Sequence, residues 1–284
     1  DVLRRPASQG IGGARSPPLP DQTARLRGAR ILLVEDNPII QELALELLSS
    51  AGMVVSLAEN GREALDRLGK QRFDGVLMDC HMPVLDGYEA TRALRAQPHL
   101  KDLPVIALTA NALDGDRDRV IAAGMNDHVA KPFDLPVLFE TLARWVQPAW
   151  PPGPAPAPPP RQGADDPLAR LPGIDAQIGR TSTMHNDKLY RRLLGMFRDG
   201  QRDVVADFSA AREAGELATA MRLAHNLRAV SGSLGATKVQ QSAGALERAC
   251  ADRSSDATLD LLLAQVEADL KPVIAGLTVL PPPS

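Results

Sequence analysis

Short apolar runs alternate with amphipathic stretches through the first half of the chain. RILLV (30–34) precedes 38–50, MVVSL (53–57) precedes 61–68, and GVLMD (75–79) precedes 87–96. PVIALTA (104–110) precedes 113–123, and DHVAK (127–131) precedes 135–146. Continuous apolar runs of this length predict strands buried on both faces, and the three- and four-residue recurrences between them predict helices. Five such units in succession predict an α/β doubly wound five-stranded parallel sheet with helices on both sides. From residue 169 onward the strand signal is lost. Helical periodicity runs near 174–180, 186–213, 216–231, 237–252 and 256–276, punctuated by Gly215, Gly235, residues 252–255 and Pro281. This predicts an all-α four-helix bundle with a short leading helix. On the helix near 216–231, Leu217, Met221, Ala224, Leu227, Ser231 and Leu234 share one face and mark the expected buried stripe. His225 lies off the centre of that stripe, which predicts an exposed imidazole.

Composition divides the chain at the same places. Residues 1–28 are rich in Pro, Gly and Arg without apolar periodicity and are expected to be a flexible lead-in. Residues 148–168 contain PAWPPGPAPAPPP and are expected to be an extended, semi-rigid linker. The expected domains are therefore 29–147 and 169–284, in keeping with a length of 284 residues. The chain begins at Asp1 rather than Met, which suggests a piece of something longer. A net charge of -3 gives no nucleic-acid footprint. No apolar run approaches the roughly 20 residues of a membrane span, so no membrane contact is expected of this segment. Cys80 and Cys250, far apart in sequence, read as free thiols in a reducing cytoplasm rather than a disulfide framework. An inner-membrane anchor would belong to a longer parent protein.

Candidate chemistry gathers at the strand ends. The first strand runs into Glu35 and Asp36, the third ends on Asp79, the fourth on Thr109 and the fifth on Lys131. In a doubly wound sheet these positions share the rim where ligands bind. One acid at a strand end is ordinarily a turn or a cap, but five polar groups on successive strand ends describe a site. Three converging carboxylates repel one another, and a hard divalent cation such as Mg²⁺ resolves that repulsion. With the Lys131 ammonium and the Thr109 hydroxyl, the cavity suits a dianionic phosphoryl group. In the second domain, Arg222 and Arg228 stand three residues either side of His225, within reach of an anion carried on its ring. Cys80 and His81 beside Asp79 make no metal-ligand set on their own. His99 and His185 read as surface residues.

LLVEDN (32–37), VLMDCHMPVLDG (76–87), IALTA (106–110) and KPF (131–133) together resemble the response-regulator receiver domain. The resemblance implies that Asp79 is the phosphoacceptor. It implies that Glu35, Asp36 and Asp79 hold Mg²⁺ with the backbone carbonyl of His81, and that Thr109 and Lys131 contact the bound phosphoryl group. It also implies a cis Lys131–Pro132 bond. His128 stands where that family usually carries a Tyr or Phe. HNLRA with the following SLGA, and LERAC (246–250), resemble the histidine phosphotransfer (HPt) domain, with Arg228 and Ala229 in place of the usual Lys and Gly. By that resemblance His225 accepts and donates the phosphoryl group. The pair resembles the C-terminal part of a hybrid sensor histidine kinase. The implied partners are an upstream histidine kinase domain, in the same parent chain, and a separate downstream response-regulator receiver. The chain shows no Gly-rich ATP-binding segment, so it is not expected to use ATP itself. Two alternatives stay open: a free-standing relay protein acting in trans, and a docking module whose receiver phosphorylation controls access to the HPt face.

Overall fold

A computed structural model describes residues 23–109, 114–148, 168 and 171–279. The N-terminal part is a parallel sheet of β1 (Arg30–Val34), β2 (Val54–Ala58), β3 (Gly75–Asp79), β4 (Val105–Thr109) and β5 (Asp127–Ala130), in the order β2-β1-β3-β4-β5. The five helices α1 (Pro38–Ser50), α2 (Gly61–Leu68), α3 (Gly87–Arg95), α4 (Asp114–Ala122) and α5 (Leu135–Trp145) follow the strands in turn. The strand order reverses between β1 and β3, so the loops leaving those strands flank a crevice. Register keeps the strand ends level: Val34 pairs with Met78, Asp79 with Leu108, and Thr109 with Ala130. β3 and β4 are buried along their whole length, and the edge strands β2 and β5 are only partly so. This explains why the central strands read as unbroken apolar runs.

The C-terminal part is helical. It comprises α6 (Ala176–Ser182), α7 (Asp187–Gly200), α8 (Val204–Glu213), α9 (Leu217–Leu234), α10 (Thr237–Ala251) and α11 (Asp256–Thr278). The expected long helix over 186–213 is two helices. Gly200 ends α7, and Gln201, Arg202 and Asp203 form a bend before α8. Glycine is a poor helix former, and three consecutive polar residues offer nothing to bury across the break. Phe197 and Phe208, on either side of it, both reach the core. The expected stripe on α9 holds at Ala224, Leu227, Ser231 and Leu234 but fails at its N-terminal end. Leu217 is 48% exposed, whereas Ala220, Ala224, Leu227, Val230 and Leu234 are buried. His225, Ala229 and Gly232 are buried as well, because the C-terminal half of α9 is covered on a second face by the sheet domain.

The two halves are in contact. One apolar cluster runs continuously from the α1 side of the sheet into the bundle. α1 packs along α7 and touches α9, with Arg192 paired to Glu42 at 2.7 Å and Asn186 donating to Glu46 at 3.3 Å. Pro132 comes up against Gly232. The margins of the folded parts shift from expectation. Within the expected lead-in, residues 1–22 lie outside the described residues, but Leu26 is fully buried and the Gly28 amide donates to the Gly52 carbonyl. Of the expected linker, 149–167 lie outside the described residues, while Leu168 is buried in the bundle core. Each leucine has apolar surface that its proline- or arginine-rich surroundings conceal in sequence. Pro281 and Ala110 also lie outside the described residues.

Candidate functional site

The β1–α1 turn is built to project acids. Asn37 caps α1, its side chain accepting from the amides of Ile39 and Ile40, with Pro38 in the first turn. Glu35 and Asp36 are thereby fixed in the last positions before the helix. At β3, Asp86 caps α3 by accepting from the Glu89 amide. Gly87 packs so tightly on the end of β3 that a Cβ there would collide with the Asp79 carbonyl. Asp79 is fully buried and Thr109 nearly so. Carboxylate oxygens of Glu35, Asp36 and Asp79 lie within 4.8 Å of one another. Lys131, delivered by the end of β5 with a cis bond to Pro132, binds both Asp79 Oδ2 at 2.9 Å and Glu35 Oε2 at 3.0 Å.

The electrostatics follow from burial. Desolvation raises the Glu35 carboxyl from its ordinary 4.5 to about 8; Lys131 opposes the shift, and Asp79 adds to it. Burial, then Asp79, raises Asp36. Burial disfavours the Lys131 ammonium, but Asp79 and Glu35 outweigh it and hold lysine charged beyond its ordinary range. A divalent cation fits this donor set. The three carboxylates converge, and Asp36 Oδ1 is buried without a hydrogen-bond partner.

The bundle contributes the opposite wall. His225 is 2% exposed, so the expected open imidazole is enclosed: the sheet domain covers it. Its Nδ1 lies 2.8 Å from Glu247 Oε1. A carboxylate only accepts, so Nδ1 carries a proton towards it. Nε2 is buried and makes no hydrogen bond. Arg228 binds the other Glu247 oxygen at 2.9 Å. Burial raises the Glu247 carboxyl, but the bonds from His225 and then Arg228 win and bring it down to about 2. Arg222 crosses to the sheet domain and binds Asp36 Oδ2 at 3.3 Å, so it too serves a carboxylate. A ring nitrogen of His225 and a carboxylate oxygen of Asp79 lie within 4.8 Å of each other. The mouth of this crevice is a cavity of about 710 Å³ lined by His81, Arg119, Arg222, His225, Glu247 and Arg248, among others.

The structure therefore brings Glu35, Asp36, Asp79, Thr109 and Lys131 to one rim and His225 against it, with Arg222 and Arg228 beside His225 and each paired to a carboxylate. His128 is apart, on β5, partly buried beside Asp127. His99 and His185 are exposed, and both cysteines are buried and outside any disulfide. Glu247 is the residue that sequence reasoning passed over. It sits in the LERAC segment, but only the packing of α10 on α9 shows that its side chain serves His225.

A response regulator receiver domain model matches residues 31–143, and an Hpt domain model matches residues 192–275. Sensor histidine kinase GacS of Pseudomonas protegens is 34% identical over 147 residues, which are 51% of this chain and 16% of that protein. The polar-differentiation response regulator DivK of Brucella anthropi is 34% identical over 116 residues, 41% of this chain and 94% of that protein. A solved receiver domain of a Pseudomonas aeruginosa sensor histidine kinase, with magnesium in its active-site cleft, is 52% identical. It aligns over 42% of this chain and 97% of its own, with a TM-score of 0.40. The chain spans only a small part of the sensor kinases it matches, 16% of GacS and 12% of BarA from Escherichia coli.

Proposed function

The chain belongs to the response regulator receiver family and carries an Hpt domain behind its receiver, and from this we propose that it relays a phosphoryl group internally, from Asp79 to His225. The observation that supports this reading best is the placement of a ring nitrogen of His225 within 4.8 Å of the Asp79 carboxylate, in a crevice closed by both domains. In this reading the two domains span the expected 29–147 and 169–284, with Leu26 and Leu168 added to their cores.

The chemistry divides among named residues. Asp79 first takes the phosphoryl group from an upstream kinase histidine, its carboxylate oxygen forming the new bond to phosphorus as the histidine N–P bond breaks and its electron pair returns to that imidazole. Lys131 and Thr109 then bear on the phosphoryl oxygens. Glu35, Asp36, Asp79 and the backbone carbonyl of His81 would hold Mg²⁺, which supplies charge neutralisation on those oxygens when bound. In the second step the Nε2 lone pair of His225 bonds to phosphorus, and the Asp79 O–P bond breaks with its electron pair returning to the carboxylate. The ring becomes cationic as it does so. Glu247, kept ionised, faces Nδ1–H and stabilises that charge. His225 then supplies a separate response regulator. The upstream kinase belongs to the parent protein in this reading, and the chain works in the cytoplasm.

The test is labelling with a small acyl phosphate and Mg²⁺. Wild type should carry base-labile phosphate on Asp79 and acid-labile phosphate on His225. Asp79→Asn should lose both, and His225→Gln only the acid-labile one. Receiver label on Asp79→Asn, or wild type that never labels His225, sinks the assignment.

A further inference from the structure

The relay leaves one imidazole without a task. The side chain of His81, two residues beyond Asp79, lies with its ring centroid 4.9 Å from that of His225 at an angle of 55°. The crevice thus holds two histidines, one from each domain, above a shared carboxylate. One donor atom each from Asp79, His81 and His225 fall within 4.8 Å of one another. His81 Nδ1 and His225 Nε2 are both buried, and neither makes a hydrogen bond. Buried nitrogens normally find partners, so two unpartnered ring nitrogens in one crevice ask for a ligand there. The far nitrogen of His225 is fixed by Glu247, the carboxylate–imidazole arrangement that orients and sharpens metal-ligating histidines.

We propose that His81, His225 and Asp79 form a site for a borderline divalent cation such as Zn²⁺, complete only when the two domains are docked. The donor chemistry separates it from the neighbouring acid cluster. Imidazole nitrogens suit Zn²⁺, while the all-oxygen set of Glu35, Asp36 and Asp79 suits Mg²⁺. Three protein ligands leave a fourth tetrahedral position for water. Donors around a tetrahedral zinc stand about 3.4 Å apart, so donors already within 4.8 Å of one another need at most a small side-chain adjustment to hold it. Asp79 belongs to both sites, so the two ions compete for it. Zinc on His225 also takes the lone pair that would attack phosphorus. The bound ion latches the domains together and halts transfer, a consequence that rests on the relay reading, whereas the binding site itself does not.

The experiment separates the two. The whole chain, in saturating Mg²⁺, is titrated with Co²⁺ as a visible probe and then with Zn²⁺. The expected result is about one Co²⁺ per chain with the strong visible absorption of a four-coordinate site, displaced by Zn²⁺. His81→Ala, His81→Phe and His225→Gln should each weaken binding by about tenfold or more, and Glu247→Gln by about tenfold. Co²⁺ binding unchanged in both His81 variants overturns the proposal. So does a weakly absorbing, six-coordinate spectrum that Mg²⁺ competes away. In the second arm, Zn²⁺ should stop passage of label to His225 in wild type while leaving the His81→Phe rate at its own zinc-free value. Equal zinc sensitivity in the two also overturns it. Label that never reaches His225 without zinc defeats the relay reading alone, and the cobalt titration still decides the site.

Discussion

Glu35 bears most of the strain of gathering three carboxylates in a dry crevice. Between about pH 4.5 and about 8, the folded metal-free chain keeps a proton on Glu35 that the unfolded chain has released. Folding stability from this group is therefore greatest below pH 4.5 and declines as pH rises to 8. Thermal melts in chelator should show that decline, Glu35→Gln should flatten it, and Mg²⁺ should restore wild-type stability near pH 8. Glu247 has the opposite sign. Its depressed carboxyl contributes stability that is present above about 4.5 and lost as pH falls towards about 2. Glu247→Gln removes the charge facing the His225 ring. It should slow appearance of acid-labile label by about tenfold or more while base-labile label on Asp79 forms at the wild-type rate. At this scale the receiver site was legible because each of its side chains is announced by its own strand end. The surroundings of His225 were not. Its burial, its bond to Glu247 and its contact with His81 come from residues 22 positions away or in another domain.

Elements position these residues through caps and close approaches. Gly87 lets the N-terminus of α3 lie on the Asp79 carbonyl, so Gly87→Ala should push the β3–α3 turn away. We expect a loss of about 1–3 kcal/mol in urea unfolding, with Asp79 labelling impaired in the fraction that folds. The helix boundaries of the sheet domain were readable because capping residues, Asn37, Asn60, Asp86 and Asp134, stand at four of its five helix starts. α7 and α8 were read as one helix because apolar periodicity survives the bend at Gln201–Asp203. On α9 the stripe is legible but the burial of His225 is not. A stripe calculation assumes one buried face, and this helix has the bundle on one side and the receiver on the other.

The whole molecule is organised by that second face. Charged contacts at its edge, Arg222 to Asp36 and Arg192 to Glu42, are partly or largely exposed and each worth little. The apolar cluster shared between the domains carries the docking. Arg222→Ala with Arg192→Ala should loosen docking modestly, and added salt should do the same to wild type. The measurement is reactivity of His225 towards an imidazole-modifying reagent, which should rise in the double variant and stay low in wild type at low salt. Composition could announce two domains and a proline-rich spacer but not their contact, because surfaces that meet across a linker have no shared periodicity.

The burial of His225 sets a limit on throughput. While the receiver covers this imidazole, a free regulator in solution has no route to it. The attached receiver, tethered by a short linker, competes at an effective concentration on the order of millimolar. In the relay proposed above, an outside regulator must therefore wait for the tethered receiver to leave. Output in that relay is set by how often the crevice opens, and the attached receiver competes with the last step.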